Sequence, residues 1–189
     1  MQEYEVLVIG GGPAGLSAAL YLARYDRHVA LFDAGQGRST WHQVTHNYLG
    51  FPGGIPAREL RRLGYEQLAE YPQVEILRHK VEKLRREGPV FIASGQPDEW
   101  CGRAVILCTG GFCLNEEMVS KYVCSPSRSL VNATQATPGS TGDGLKMALE
   151  VGAATSGFGY IYGWPAPIIA ERTPMHDLSG YLAMDSLIK

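Results

Sequence analysis

Gly10, Gly12 and Gly15 have the G-x-G-x-x-G spacing of a turn that binds phosphate. Asp33 follows at about the 20-residue separation expected of an acid that binds ribose. Gly10 permits a tight turn, Gly12 lets backbone N–H groups approach a pyrophosphate, and Gly15 lets a helix pack closely on a strand. The carboxylate of Asp33 would accept hydrogen bonds from ribose hydroxyls and repel a 2′-phosphate. The pattern therefore predicts a dinucleotide site that favours FAD or NAD over NADP.

The sequence around these glycines predicts a strand, a helix and a second strand. Residues 4–9 are rich in β-branched residues, residues 28–32 end in a short apolar run before Asp33, and residues 14–25 are rich in Ala and Leu. Pro13 and Ala14 lie where this helix would begin, and its N-terminus would add partial positive charge to hold the phosphates. The glycines thus lie within a βαβ unit, which makes a nucleotide site the best interpretation of their spacing.

The rest of the pattern predicts an α/β chain with one long loop. Residues 35–56 are dense in Gly, Pro, Ser and Thr, and we expect function in so long a connection. Beyond it we predict a helix over 57–71, short strands over 74–77, 81–84, 90–93 and 104–108, and a helix over 145–151. We expect a Rossmann-like domain over 1–111, with a parallel central sheet and a small β-meander, and an incomplete second segment over 112–189.

A second glycine turn follows the predicted strand over 104–108. Thr109 and Gly110 lie at the end of this strand, and a turn without side chains would let the backbone approach a cofactor. Further on, Gly142, Asp143 and Gly144 come before a predicted helix and would expose N–H donors. The carboxylate of Asp143 would either accept a ribityl hydroxyl or cap the helix, and both alternatives stay open here.

Composition argues against several classes of function. The chain has 189 residues and a net charge of −2, and its densest basic cluster, residues 58–62, alternates with apolar residues like a solvated helix face, which argues against a nucleic-acid patch. No apolar run reaches the ~18 residues of a membrane span, and no signal peptide is recognisable, so we predict a cytoplasmic protein. The four cysteines, Cys101, Cys108, Cys113 and Cys124, lack metal or dithiol spacing and are interpreted as reduced structural thiols.

The first 110 residues resemble the FAD half of thioredoxin-reductase-like flavoproteins. The segments that carry the resemblance are VLVIGGGPAGLSAALYLAR, VALFDAG, THNYLGFPGGIPARELRR and AVILCTG. It implies a Rossmann-like FAD-binding fold and FAD contacts at Gly12, Pro13, Ala14, Asp33, Asn47, Val81, Thr109 and Gly110. In that group the asparagine lies by the flavin and the valine backbone meets the adenine. The alternative for Asn47 is an Asx-turn, and for Val81 it is a core strand residue.

The chain departs from that group after residue 110. It has no second G-x-G-x-x-G, no C-x-x-C and no closing Gly-Asp segment, and residues 157–163 have the wrong glycine spacing. From about 107 to 167 the segments CTGGFCLNEEMVSKY, GSTGDGLKMALEVGAATSGF and YIYGWPAP are similar to the fumarate-reductase and ketosteroid-dehydrogenase group. That resemblance implies that Gly142 and Asp143 lie beside the flavin, and that a substrate-binding cap begins near the end of this chain.

Two classes of function agree with these observations. One is an FAD-dependent oxidoreductase in which the flavin exchanges hydride or electrons with a small organic substrate under loop 38–52. The other is a non-catalytic FAD-binding module that needs a partner protein; an NAD-dependent dehydrogenase is a weaker third alternative. A homo-oligomer is compatible with either. No catalytic residue is assigned, since His176 and Asp177 suit a solvated tail and Tyr160 and Tyr162 suit aromatic packing.

Overall fold

The computed structural model describes residues 1–40, 44–122 and 139–156. The strands are β1 (Gln2–Ile9), β2 (Val29–Phe32), β3 (Val44–Thr45), β4 (Ile55–Pro56), β5 (Val74–Leu77), β6 (Lys83–Glu87), β7 (Val90–Gly95) and β8 (Asp98–Leu107). The helices are α1 (Pro13–Arg24), α2 (Ala57–Leu68), α3 (Glu116–Tyr122) and α4 (Asp143–Glu150), with a 3-10 turn at Arg38–Thr40.

One mixed sheet organises the described residues. Its six strands have the order β5-β2-β1-β8-β7-β6, and β3 pairs with β4 in a separate two-stranded ribbon. The pairs β5-β2, β2-β1 and β1-β8 are parallel, whereas β8-β7 and β7-β6 are antiparallel. A parallel sheet with a meander, β6-β7-β8, at one side confirms the predicted Rossmann-like α/β fold.

The two faces of the sheet bury separate apolar clusters. Alternate residues of β1 point to opposite faces, so Leu7 and Ile9 enter one cluster while Val6 and Val8 enter the other. The second cluster also contains Leu16 of α1 and Leu68 of α2. The first is closed by groups outside these helices, among them Trp100, Val81 and Met147. Helix α4, which carries Met147, therefore packs on the face opposite α1.

Several predicted boundaries shift for identifiable reasons. The predicted strand over 104–108 is the last part of β8, which is longer because it pairs with β1 on one side and β7 on the other. The predicted helix over 57–71 ends at Leu68, where a turn forms before Pro72, a residue that disfavours helix at the position before it. The predicted strand over 81–84 is shifted toward the C-terminus, because β6 spans Lys83–Glu87 and Val81 precedes it.

Some sequence predictions lie outside the described residues, namely those on 157–163, Tyr160, Tyr162, Cys124, His176 and Asp177. Within the described ranges, none of the helices is long and apolar enough to cross a membrane. The same ranges contain no cluster of His, Cys, Asp or Glu side chains that could hold a metal ion. Cys101, Cys108 and Cys113 are free thiols, and burial raises the pKa of Cys108 above its usual value.

Candidate nucleotide-binding site

The predicted glycine turn and the predicted acid meet at one edge of the sheet. Strands β1, β2 and β8 run in parallel and end next to one another, so the residues that follow them are neighbours. The Gly10 N–H donates to the carbonyl oxygen of Phe32 at 2.9 Å, and the Cys108 N–H donates to that of Ile9 at 2.7 Å. The carboxyl edge of a parallel sheet is where α/β folds bind ligands.

Two of the three motif glycines are required by packing. Gly10 has φ +117°, and a Cβ there would overlap the carbonyl of Cys108. A Cβ at Gly15 would overlap the carbonyl of Gly10, so only glycine lets α1 approach β1 this closely. Pro13 and Ala14 form the first turn of α1 between these positions. The structure thus agrees with the sequence-derived roles of Gly10 and Gly15.

Gly12 lies at a helix N-terminus that is open to a ligand. It is the N-cap residue of α1, no side-chain hydrogen bond caps this helix, and its first turn has no acidic residue. The backbone at Gly12 is extended, with φ −80° and ψ 179°, and the nearest described atom to a Cβ there would be Ser39 Oγ at 3.9 Å. Uncapped N–H groups at a helix N-terminus attract anions, so the turn fits a pyrophosphate.

The carboxylate of Asp33 is the centre of a polar cluster at the end of β2. One oxygen, Oδ1, accepts a hydrogen bond from the Gly35 N–H at 2.9 Å. The other, Oδ2, accepts from the hydroxyl of Tyr65 and from the guanidinium groups of Arg61 and Arg78. Both guanidinium groups also lie over the Tyr65 ring, 5.0 Å from its centroid for Arg61 and 4.5 Å for Arg78.

This cluster keeps Asp33 ionised although the residue is only 5% exposed. Burial opposes ionisation, but the hydrogen bonds from Tyr65 and Gly35 and the charges of Arg61 and Arg78 outweigh it and hold the pKa of Asp33 below its usual value. Burial and the hydrogen bond to Asp33 raise the pKa of Tyr65 to about 12. The site therefore presents a charged acceptor beside two cations.

Arg61, Tyr65 and Arg78 are site residues that sequence reasoning missed. The interpretation of residues 58–62 as a solvated helix face is wrong for Arg61, whose side chain is 18% exposed, and right for Arg62, which is 51% exposed and pairs with Glu59. The available signal was the four-residue spacing of Arg61 and Tyr65, which places both on one face of α2.

The glycine turn after β8 contacts the glycine turn that begins α4. Gly142 and Gly110 both have positive φ, +77° and +82°, and the Gly142 N–H donates to the Gly111 carbonyl at 3.2 Å. Gly144 lies against the side chain of Thr109, with no room for a Cβ. No side-chain hydrogen bond caps α4, and the Asp143 carboxylate is exposed, 3.9 Å from Lys80 Nζ. The structure therefore brings 109–111 and 142–144 together.

Asn115 stabilises this junction from the side. Its Oδ1 accepts from the Met118 N–H at 3.0 Å at the start of α3, and its Nδ2 donates to the Thr141 carbonyl at 2.8 Å. The Leu114 N–H donates to the Ser140 carbonyl at 3.0 Å. These bonds attach residues 139–142 to the turn after β8 within one folded unit.

The other two predicted contacts are placed differently. The Val81 side chain is buried in the apolar cluster that contains Met147, which agrees with the core alternative for its side chain. Asn47 is exposed between β3 and β4, and its Oδ1 accepts a hydrogen bond from Thr45 Oγ1 at 2.8 Å. Neither residue joins the Asp33 cluster.

Comparison with known proteins identifies relatives that match more than half of the chain. The chain is 36% identical over 110 residues to thioredoxin reductase tcpT of Claviceps purpurea, and the alignment covers 56% of this chain and 34% of the relative. It is also 36% identical over 109 residues to a thioredoxin reductase of Rickettsia conorii, with 56% and 35% covered. The structure of a thioredoxin reductase from Gloeobacter violaceus superposes with a TM-score of 0.55 at 26% identity, over 67% of this chain and 44% of that one.

The chain spans about a third of the length of these two curated relatives. A family model, described as pyridine nucleotide-disulphide oxidoreductase, matches residues 4–130. This match includes the glycine turn, Asp33, α2 and all strands from β2 to β8. The chain therefore belongs to the pyridine nucleotide-disulphide oxidoreductase family.

Proposed function

We propose that this chain binds FAD and is the FAD-binding part of a flavin-dependent oxidoreductase. The observation that carries the proposal is the uncapped N-terminus of α1 at Gly12, next to the ionised Asp33 at the same sheet edge. Together they offer N–H donors for a pyrophosphate and an acceptor for ribose hydroxyls. The family and the thioredoxin reductases among the relatives support the same function.

In this proposal each part of FAD is held by a separate group of residues. The turn at Gly10, Gly12, Pro13, Ala14 and Gly15 would hold the pyrophosphate, and Asp33 would hold the ribose of the adenosine half. The backbone of Val81 would contact the adenine. Thr109, Gly110, Gly142 and Asp143 would lie along the flavin half, with Asn47 beside the ring. When bound, the flavin supplies the hydride and electron chemistry, while the protein orients it and sets its electrostatic environment.

We further propose that residues 1–111 and 112–189 build one composite cofactor site. Support comes from the contact of Gly144 with Thr109 and from the hydrogen bond of the Gly142 N–H to the Gly111 carbonyl, which attach the second segment to the turn after β8. In this proposal the resemblance of residues 107–167 to the fumarate-reductase group reflects a shared way of closing a Thr-Gly turn over the flavin. The carboxylate of Asp143 then accepts a ribityl hydroxyl, since it makes no cap in α4.

The second candidate is an FAD-binding module that needs a partner for turnover. Residues 1–189 contain no C-x-x-C dithiol, so in this candidate the partner supplies the group that exchanges electrons with the flavin. The electron donor would be a pyridine nucleotide, as the family description indicates, and the acceptor a small organic substrate or a redox partner protein. A cytoplasmic location and a homo-oligomer stay predictions.

The test begins with the purified full chain. Absorbance bands of oxidised flavin, with FAD identified after denaturation, are expected at about one FAD per chain. A colourless protein that binds NAD would contradict the proposal. Anaerobic addition of NADH or NADPH then separates the two candidates, because bleaching of the flavin supports an oxidoreductase, whereas bound FAD that stays oxidised supports a module requiring a partner.

A further inference from the structure

Ser39 is a buried residue whose hydroxyl has no hydrogen-bond partner among the described residues. It lies in the 3-10 turn after β2 and is 6% exposed. The hydroxyl of the neighbouring Thr40, in contrast, has a partner, since Thr40 Oγ1 donates to the Gly37 carbonyl at 2.7 Å. Among the described residues, every fully buried side-chain oxygen has a hydrogen-bond partner. Because the Ser39 hydroxyl has none, it must be the part of Ser39 that is exposed.

The Ser39 hydroxyl lies next to the open N-terminus of α1. Its Oγ lies 3.9 Å from where a Cβ of Gly12 would be, and no other described atom outside the chain neighbours of Gly12 is within 4 Å of that point. The hydroxyl is accessible and makes no hydrogen bond to the described residues, so it is available to a ligand that occupies this space. The geometry therefore adds a side-chain donor to the N–H groups of the helix.

We propose that the Ser39 hydroxyl donates a hydrogen bond to a phosphate oxygen of the ligand bound at Gly12. This inference rests on the proposed function, in which that phosphate belongs to the pyrophosphate of FAD. The turn that carries Ser39 packs on α2, the helix that also carries Arg61 and Tyr65. One helix thus positions both the phosphate donor and the acid that faces the ribose.

The experiment measures binding of FAD, ADP and adenosine to the full chain by calorimetry after removal of any bound flavin. Ser39→Ala is expected to weaken FAD and ADP binding about tenfold, the effect of losing one hydrogen bond to a charged group, and to leave adenosine binding unchanged. Ser39→Cys, which keeps the shape of the side chain but donates poorly, should weaken ADP binding to the same degree. Ser17→Ala, a hydroxyl lost within α1, is the matched control and should change nothing.

Equal ADP affinity for the wild type and Ser39→Ala would overturn the proposal. So would full recovery by Ser39→Cys, or an equal loss of adenosine binding, because either result assigns Ser39 a packing role. Failure of the proposed function looks different. If the wild-type chain binds ADP but not FAD, and ADP binding still depends on Ser39, the proposed FAD-binding function is wrong while Ser39 remains a phosphate donor. Thermal unfolding of each variant checks that it is folded.

Discussion

Arg61 Nε donates a hydrogen bond to the carbonyl oxygen of Gly11 at 3.2 Å. The same guanidinium group pairs with Asp33 through Nη2, so one side chain of α2 joins the glycine turn to the acid at the end of β2. Gly11 has no room for a side chain here, because a Cβ would overlap Asp33 and Tyr65. A side chain of α2 therefore fixes the glycine turn and the acid relative to each other, although this helix would contact neither the phosphate nor the ribose of the ligand.

Arg61→Ala is expected to lower the free energy of unfolding by about 1.5–3 kcal/mol, since it leaves a buried carboxylate with fewer charged hydrogen bonds. Arg62→Ala is the matched control, because Arg62 is exposed and pairs with Glu59 on the surface. Its loss should cost less than about 1 kcal/mol. Urea denaturation of both variants provides the comparison, and similar costs would show that the Arg61 ion pair contributes no more than a surface pair.

Gly12→Val should abolish FAD binding while the protein stays folded. The backbone at Gly12 is extended and, apart from its chain neighbours, no described atom lies closer than 3.9 Å to its Cβ position, so the fold accepts a side chain that fills the phosphate space. Gly15→Val is the contrast, since its side chain would strike the Gly10 carbonyl and should unfold the protein. Flavin content and melting temperature distinguish the two effects. Full flavin content in folded Gly12→Val protein would show that this turn does not bind the cofactor.

Asp33→Asn is expected to weaken FAD binding by about 1.5–3 kcal/mol, the value of a hydrogen bond to a charged group. It should also change the acid stability of the protein. The pKa of Asp33 is lowered in the folded state, so its contribution is complete above about pH 4, the usual range of an aspartate, and is lost as the pH falls through the folded pKa. The stability difference between wild type and variant should therefore shrink in acid, and a difference independent of pH would argue against an ionised Asp33.

Tyr65→Phe tests the same cluster from the alkaline side. The pKa of Tyr65 is raised to about 12 in the folded state, against about 10 for an ordinary tyrosine. The protonated hydroxyl therefore contributes fully below about pH 10, and this contribution is lost as the pH rises through the folded pKa. Urea unfolding of both proteins should show a difference that is constant near neutral pH and decreases above about pH 10.

Asp143→Ala should weaken FAD binding if the second segment completes the site. Glu150→Ala, which removes an exposed carboxylate from the other end of α4, is the control and should leave affinity unchanged. Asn115→Ala should act on the junction instead, because it removes the bond to Thr141 and a helix cap, and should lower stability by about 1 kcal/mol. Equal FAD dissociation constants for wild type, Asp143→Ala and Glu150→Ala would leave the second segment outside the site.

The βαβ unit and the glycine turn could be predicted from the sequence because their causes are local. A buried parallel strand needs a continuous apolar run, and β2 has all four residues buried. The turn needs glycine at Gly10 and Gly15, where positive φ or a close backbone approach excludes other residues. Asp33 could be found in the same way, since it directly follows a recognisable strand.

The partners of Asp33 were decided by tertiary structure alone. Arg61 lies 28 residues from Asp33 and Arg78 lies 45 residues away, and they meet only because α2 packs beside α1 while β5 pairs with β2. Periodicity identified the helix around Arg61 but could not identify which of its charged side chains turns inward. The register of β6 and the burial of Val81 depend likewise on pairing with β7 and packing against α4. A local pattern determines which element forms. The contacts between elements depend on packing, strand pairing and ion pairs between residues far apart in the sequence, which form only when the chain is folded.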